Sequence, residues 1–234
     1  MKALSLLGQM AALIVATNAI AATAQPETGS RIDRSTEGMT GFHDPMVQNS
    51  ARAGANAIAR CKAENNRFRA ANTLDYKYLS EEQADSFRYI FKKVEYDDTC
   101  YVNKHLQFGY STAPVVGAFA EFFLLRNYGQ ENIAKLDALT DADWQNENFQ
   151  PRTGEELFGL CVVRSGREKI YDLISTVPDT QQESEAIQSV VPLLSPCVTD
   201  GLEVSFDKSS LRAMLAYGLY RAVHQHAEMM EAAE

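Results

Sequence analysis

The segment Leu211–Val223, LRAMLAYGLYRAV, decides the fold prediction because its apolar residues repeat with helical periodicity. Apolar or small residues occupy positions i, i+3, i+4, i+7, i+8, i+11 and i+12, which are Leu211, Met214, Leu215, Gly218, Leu219, Ala222 and Val223. Positions with this spacing fall on one face of an α-helix. The segment therefore predicts a long helix, over 208–230, that packs an apolar face on a core, with Asp207 as its N-cap residue.

Helical periodicity recurs upstream, between short polar turns. Thr153 followed by Glu156, and Ser80 followed by Gln83, match the capping box that opens a helix. The predicted helices span 45–63, 66–73, 81–93, 112–128, 154–164, 167–175, 180–191 and 208–230, with a further short one within 130–147. The predicted fold class is therefore all-α.

Two short segments depart from helical periodicity because their apolar and polar residues alternate. They are Leu106–Phe108 and Leu202–Phe206. Alternation is typical of extended chain, so these segments predict very short extended pieces in an otherwise helical fold.

The two parts of the chain show the same order of features. Each has a helix ending in Cys, a short helix, a capped helix, a second Cys, an extended piece ending in Phe and a long helix, at offsets between 97 and 100 residues. A nearly constant offset predicts a pseudo-repeat of one helical unit. The predicted organisation is a signal peptide (1–24), a flexible N-terminal arm (25–44), helical unit 1 (45–129), a connection (130–152) and helical unit 2 (153–234).

The four cysteines are spaced too widely for a zinc ribbon or a redox dithiol, and they predict disulfides. They are Cys61, Cys100, Cys161 and Cys197, and three pairings are possible. Loop entropy does not choose, since it gives roughly 4 kcal/mol for a 40-residue loop and only about 1 kcal/mol more for a Cys61–Cys197 bridge. The repeat favours Cys61–Cys100 and Cys161–Cys197, and the alternative is four reduced cysteines in a cytosolic protein.

The first 24 residues have the features of a secretory leader. Lys2 precedes a short apolar run, and Ala22 and Ala24 have the A-x-A spacing that signal peptidase accepts. The alternative is an uncleaved anchor, but polar residues interrupt the run before it reaches the ~20 residues that span a bilayer. The leader predicts a periplasmic or secreted protein without stable membrane insertion after cleavage.

The charge balance disfavours nucleic acid as a partner. The chain has 22 Lys and Arg against 31 Asp and Glu, a net charge of -9. Nucleic-acid binding depends on clustered cations that neutralise phosphates.

No serine-nucleophile motif is present, and His224 and His226 stand at i and i+2 on a helix, so they point to different faces. The sequence predicts neither a metal site nor a cofactor.

Glu121 is the weak candidate for a catalytic residue. It interrupts the apolar run Val115–Leu125, and it aligns with Leu219 or with Gly218 of the second unit, depending on which residues are superposed. Burial among Phe and Leu side chains favours the protonated form of a carboxylate, which is the condition of a general acid. The alternative is an edge position where the carboxylate reaches water or an arginine.

An aromatic-rich stretch surrounds the third helix of unit 1. Its members are Tyr76, Tyr78, Phe87, Tyr89 and Phe91. The main expectation is that they belong to the core, and the alternative is that the tyrosines line a groove for a peptide or a glycan.

The leader, the two Cys-paired units and two long apolar segments together resemble a known group of proteins. The segments are LRAMLAYGLYRAV and, at 115–128, VVGAFAEFFLLRNY. Over roughly residues 50–225 this arrangement resembles exported all-helical proteins of alphaproteobacteria. The resemblance implies a bacterial envelope setting and no particular chemistry.

Together these features predict an interaction or scaffold module of the cell envelope, with another envelope protein as its expected partner. The alternative is a periplasmic hydrolase of an envelope polymer that uses Glu121. A third class, a small-molecule carrier, requires an apolar cavity between the units. The oligomeric state stays open.

Overall fold

A computed structural model describes residues 50–92, 100, 112–198 and 206–232. Within these ranges the chain forms nine α-helices: α1 (Ala51–Asn65), α2 (Arg67–Asp75), α3 (Glu81–Lys92), α4 (Thr112–Phe123), α5 (Gly129–Lys135), α6 (Asp141–Trp144), α7 (Gly154–Ser175), α8 (Gln181–Leu194) and α9 (Lys208–Ala232). A π-helical turn continues α4, and short 3-10 turns follow α5, α6 and α8: Leu124–Tyr128, Leu136–Ala138, Glu147–Phe149 and Ser195–Cys197. The all-α prediction is confirmed.

Some predicted segments lie outside the described residues. These are the leader and the arm, 1–44, and both extended pieces except Phe206. In the ranges that are described, no helix combines the length and the apolar character needed to cross a bilayer.

The predicted caps open three of the helices. The Ser80 and Thr153 hydroxyls accept from the amide three residues later, and Asp207 accepts from the amides of Ser209 and Ser210. Each cap satisfies backbone N–H groups that a helix start leaves without an intrahelical partner. The starts of α3, α7 and α9 therefore follow from local sequence.

Helix α9 lies at the centre of the fold, where α4 and α7 pack on it most extensively, while α1 packs on α4 and α8 on α7. All thirteen residues of Leu211–Val223 are buried, so burial extends round the helix and beyond its predicted apolar face. A Cβ on Gly117 of α4 would lie 2.4 Å from the Cα of Ala213. The absent side chain allows the α4 and α9 backbones to touch at this crossing.

The disulfide prediction is confirmed in full. Cys61 pairs with Cys100 and Cys161 pairs with Cys197, with Cα–Cα distances of 5.6 and 5.7 Å. The first bridge ties α1 to residue 100, and the second ties α7 to the turn after α8. Each bridge therefore closes a loop within one half of the chain.

Several local features recur at an offset of 100 residues. Helix α7 departs from helical dihedrals at Gly166. The helical turns after this residue, 167–175, lie 100 residues after α2 in the sequence. Helices α3 and α8 begin at Glu81 and Gln181. The turns before them contain two left-handed residues, Leu79 with φ 60° and Asp179 with φ 63°.

The two turns also share a hydrogen bond. The Leu79 amide donates to Gln83 Oε1, and the Asp179 amide donates to Glu183 Oε2, both at 2.8 Å. A side chain in the first turn of the following helix thus stabilises each left-handed residue in the same way.

Candidate functional site

Glu121, the predicted catalytic candidate, lies in a buried ion pair. Its side chain is 1% exposed, and the guanidinium of Arg212 on α9 donates to both of its oxygens, from Nε to Oε1 at 2.7 Å and from Nη2 to Oε2 at 3.1 Å. Asn56 of α1 donates to Oε2 at 3.1 Å. The carboxylate that interrupts α4 therefore has defined partners on two other helices.

Arg212 connects this pair to the second half of the chain. Its Nη1 donates to Glu183 at 3.1 Å, and its Nη2 donates to the carbonyls of Ile174 and Thr176 at 3.1 and 2.9 Å. Burial alone would lower the pKa of this arginine, but Glu121 and Glu183 outweigh burial and raise it. Arg52 of α1 donates to both Glu183 oxygens at 3.0 and 3.1 Å and also pairs with Asp179, so two arginines bind three carboxylates.

These contacts decide between the two expectations for Glu121. It is buried, as a general acid would be, but it reaches an arginine, as the alternative expected, and it does so in the core and not at an edge. Glu121 lines neither the cavity between α2 and α9 nor the groove on α2 and α3. With both oxygens occupied, its role in this geometry is to join helices.

A second buried cluster surrounds Glu156 of α7. Arg152 contacts both Glu156 oxygens, and Arg221 of α9 donates to Oε2 at 2.5 Å. The Tyr78 amide donates to Oε1 at 3.0 Å, and the Tyr217 hydroxyl lies 3.4 Å from the same oxygen. One carboxylate therefore links α7, α9 and the turn after α2.

The environment of Glu156 stabilises its ionised form. Burial opposes ionisation, but hydrogen bonds from Arg152 and from the Tyr78 and Arg152 amides outweigh it, and the pKa lies below the ordinary value of a glutamate. A carboxylate held in this way is a hydrogen-bond acceptor for the fold and a poor proton donor at neutral pH.

Of the residues in these two clusters, only Glu121 was predicted from the sequence as a candidate functional residue. A usable signal was the presence of Arg212 and Arg221 inside the apolar segment Leu211–Val223. Two arginines within a buried helix require buried acceptors, since unpaired charge is rarely buried. Their acidic partners stand far away in the sequence, so spacing could not identify them.

A small polar cavity of about 100 Å³ lies beside the Glu156 cluster, between α2 and α9. It is lined by Leu74, Asp75, Arg152, Tyr220, Arg221, His224, Gln225 and Glu228. His224 Nδ1 lies 2.7 Å from the Tyr128 hydroxyl, and its Nε2 lies 3.3 Å from Glu228. The described residues contain no group of three or more His, Cys, Asp or Glu side chains arranged to hold a metal ion.

A larger, open groove of about 430 Å³ lies on the α2–α3 hairpin. It is lined by Arg69, Asn72, Tyr76, Glu82, Asp85, Ser86 and Tyr89. Tyr76 is 42% exposed and Tyr89 is 51% exposed, while the Arg69 guanidinium stacks 4.1 Å from the Tyr89 ring centroid. We refer to these seven residues as the tyrosine groove.

The aromatic stretch therefore divides between its two expected roles. Tyr78, Phe87 and Phe91 are buried in the core, as the main expectation has it. Tyr76 and Tyr89 line the tyrosine groove, as the alternative has it. The division follows helical position, since Phe87 and Phe91 stand at i and i+4 on the inner face of α3.

Comparison with known proteins provides no relative: no protein-family model, no curated protein and no solved structure matches the chain. The resemblance to exported alphaproteobacterial proteins stays a prediction.

Proposed function

We propose that this protein is an exported interaction module, built from two copies of one helical unit, that binds a component of the cell envelope through the tyrosine groove. The observation that carries the proposal is the exposure of two tyrosine rings in one groove. Exposed aromatic rings beside hydrogen-bonding groups are typical of binding surfaces, because the apolar ring gains from leaving water on contact with a ligand.

The recurrence at 100 residues supports the duplication. It covers the left-handed residues Leu79 and Asp179 and the amide-to-side-chain bonds that follow them. Arginines 100 residues apart also contact the turn of the other half, one through a side-chain carboxylate and the other through backbone carbonyls. Arg52 of the first half donates to the turn at Asp179, and Arg152 of the second half donates to the carbonyls of Asp75 and Tyr76.

Under this duplication, the groove can be compared with the corresponding surface of the second half. At the offset of 100, the seven lining residues correspond to Lys169, Asp172, Thr176, Gln182, Glu185, Ala186 and Ser189. Polar character is largely retained, but Tyr76 and Tyr89 correspond to Thr176 and Ser189. The same helical pair therefore folds without aromatic residues at these positions, which favours a binding role for the tyrosines over a packing role.

Export is proposed from the leader and the cysteines. Residues 1–24 have the features of a cleavable leader, and both disulfides are of the kind that persists in an oxidising compartment. Mass spectrometry of the protein from its native host tests this part. We expect a periplasmic or secreted chain beginning at Gln25, and an intact leader on cytosolic protein would contradict it.

Retention of envelope components tests the groove. The mature, oxidised protein is immobilised and exposed to envelope extract, in parallel with Tyr76→Thr/Tyr89→Ser, which installs the residues of the second unit. Leu157→Ser, at an exposed apolar position of α7, is the control. We expect a component that the wild type and the control retain and the double variant loses. Equal retention by all three would remove the groove from the proposal.

A further inference from the structure

We propose that the occupant of the tyrosine groove is an uncharged oligosaccharide segment, an inference that rests on the proposed function and names its ligand. The groove presents two half-exposed tyrosine rings together with planar hydrogen-bonding groups, and its charges cancel when the adjacent Arg88, which pairs with Asp85, is counted.

The charges around the groove balance. Arg69 and the carboxylates of Glu82 and Asp85 line it, and Arg88, an exposed neighbour, forms an ion pair with Asp85. The seven lining residues carry one cation and two anions, and with Arg88 two cations stand beside two anions. A polyanionic ligand requires a surplus of cations and a basic peptide requires a surplus of carboxylates, so the balance favours a neutral ligand.

The shapes and polarities of the lining groups match a sugar ring. A pyranose has an apolar C–H face, which packs on an aromatic ring, and a rim of hydroxyls that both donate and accept hydrogen bonds. Tyr76 and Tyr89 supply the rings. Around them stand a guanidinium donor, an amide that donates and accepts, and two carboxylate acceptors, on Arg69, Asn72, Glu82 and Asp85.

The groove is held in shape by bonds between its two helices. The Thr73 hydroxyl of α2 lies 2.7 Å from that of Ser86 on α3, and the buried Gln83 side chain donates to the Thr73 carbonyl at 3.1 Å. Arg69 stacks on Tyr89 and limits the movement of that ring. Preorganisation reduces the entropic cost of binding a ligand with many rotatable groups.

The common modes of peptide recognition fit this surface less well. Strand addition requires a sheet edge, and the ranges that the structure describes are helical. A helix in a groove requires an apolar trough, whereas five of the seven lining residues are polar or charged. The volume of about 430 Å³ falls in the range of small-ligand sites, roughly 300–1,000 Å³.

Calorimetry or ligand-observed NMR with defined tetrasaccharides tests the inference on the mature, oxidised protein. The probes are neutral cellotetraose, maltotetraose and tetra-N-acetylchitotetraose, with tetragalacturonate as the anionic comparison and deacetylated chitotetraose as the cationic one. We expect at least one neutral probe to bind, and Tyr76→Thr and Tyr89→Ser each to weaken it about tenfold, which corresponds to loss of one ring contact. Phe68→Ser, at a 79% exposed aromatic position of α2 outside the groove, should leave affinity unchanged.

The outcomes separate this inference from the function it rests on. If no neutral probe binds but the double variant still loses an envelope component, the groove functions and its occupant is not a neutral glycan. A protein cross-linked to the groove would then point to peptide recognition. If a charged probe binds best, the argument from charge balance is wrong. Thermal unfolding of each variant confirms that a loss of binding does not reflect a loss of folding.

Discussion

Arg212 of α9 and Glu121 of α4 form a two-point ion pair, with Nε–Oε1 at 2.7 Å and Nη2–Oε2 at 3.1 Å, while only 4% and 1% of their side chains are exposed. The pair joins two helices that pack at the centre of the fold, 91 residues apart in sequence. Burying both charges carries a desolvation cost that their contacts offset. Removal of Glu121 takes away the acceptor of Arg212 Nε and one acceptor of Nη2, and it leaves Glu183 as the remaining carboxylate partner of Arg212.

We therefore expect Glu121→Ala to lower the free energy of unfolding by about 3–5 kcal/mol. Urea titration followed by circular dichroism measures the change. Glu64→Ala is the matched control, because Glu64 forms a half-exposed pair with Arg67 and its loss should cost no more than about 1 kcal/mol. Equal effects of the two substitutions would contradict a stabilising role for the buried pair.

The contact between α4 and α9 supports a second prediction. A Cβ on Gly117 would lie 2.4 Å from the Ala213 Cα, which belongs to the backbone and cannot rotate away. We expect Gly117→Ala to destabilise the fold by about 1–3 kcal/mol, despite the better helix propensity of alanine.

Gly54→Ala in α1 provides the control for that substitution. Among the residues that the structure describes, none has an atom within 4 Å of a Cβ at Gly54, so alanine should stabilise the helix by up to about 1 kcal/mol. Thermal unfolding of both variants gives the comparison. A gain at both positions would mean that the α4–α9 contact tolerates a side chain.

Sequence periodicity and caps predicted most of the helical architecture because both depend on nearby residues. The α3 helix begins after Ser80 and α7 after Thr153, as their hydroxyls predict. Residues 154–164 and 167–175, predicted as two helices, form two helical segments of α7 that meet at a kink at Gly166, whose dihedrals are not helical. The choice between a kink and a break depends on tertiary packing, which local sequence does not specify.

The candidate site was harder to predict because it depends on distant neighbours. The sequence singled out Glu121 but not Arg212, since their pairing depends on how α4 and α9 cross. It identified Tyr76 and Tyr89 as aromatic residues but left open whether they lie in the core or line a groove. For Tyr89 the answer depends on which side of α3 faces the core. In the folded hairpin Tyr89 lies on the outer side and lines the groove.

Glu156 predicts a dependence of stability on pH. Its folded-state pKa lies below the ordinary value, about 4.3, so the folded protein stabilises the ionised form. This contribution is present in full above the ordinary pKa and is lost as pH falls from that value through the folded-state pKa. We expect Glu156→Gln to destabilise the protein by about 3–5 kcal/mol at pH 7, and by progressively less below pH ~4.

Urea unfolding of both proteins between pH 7 and pH 3 measures this difference. Glu131→Gln, at an exposed position of α5, controls for the loss of one surface carboxylate. A gap between wild type and Glu156→Gln that stays constant or widens on acidification would show that the ionised Glu156 carboxylate does not supply the stability.

The two left-handed turn residues predict opposite effects of the same substitution. A left-handed conformation costs an L-residue about 1–2 kcal/mol, whereas glycine adopts it freely but loses about 0.5–1 kcal/mol of chain entropy on folding. Leu79, with φ 60°, is 43% exposed, so Leu79→Gly should raise the free energy of unfolding by about 0.5–1 kcal/mol. Leu79→Ala removes the same side chain without relieving the backbone, and it should bring no gain.

At Asp179, φ is also positive, but its carboxylate accepts from Arg52 and Ser50, so Asp179→Gly should lower stability. Thermal unfolding of the three variants tests this. If Leu79→Gly is no more stable than Leu79→Ala, the left-handed turn carries no strain that glycine relieves.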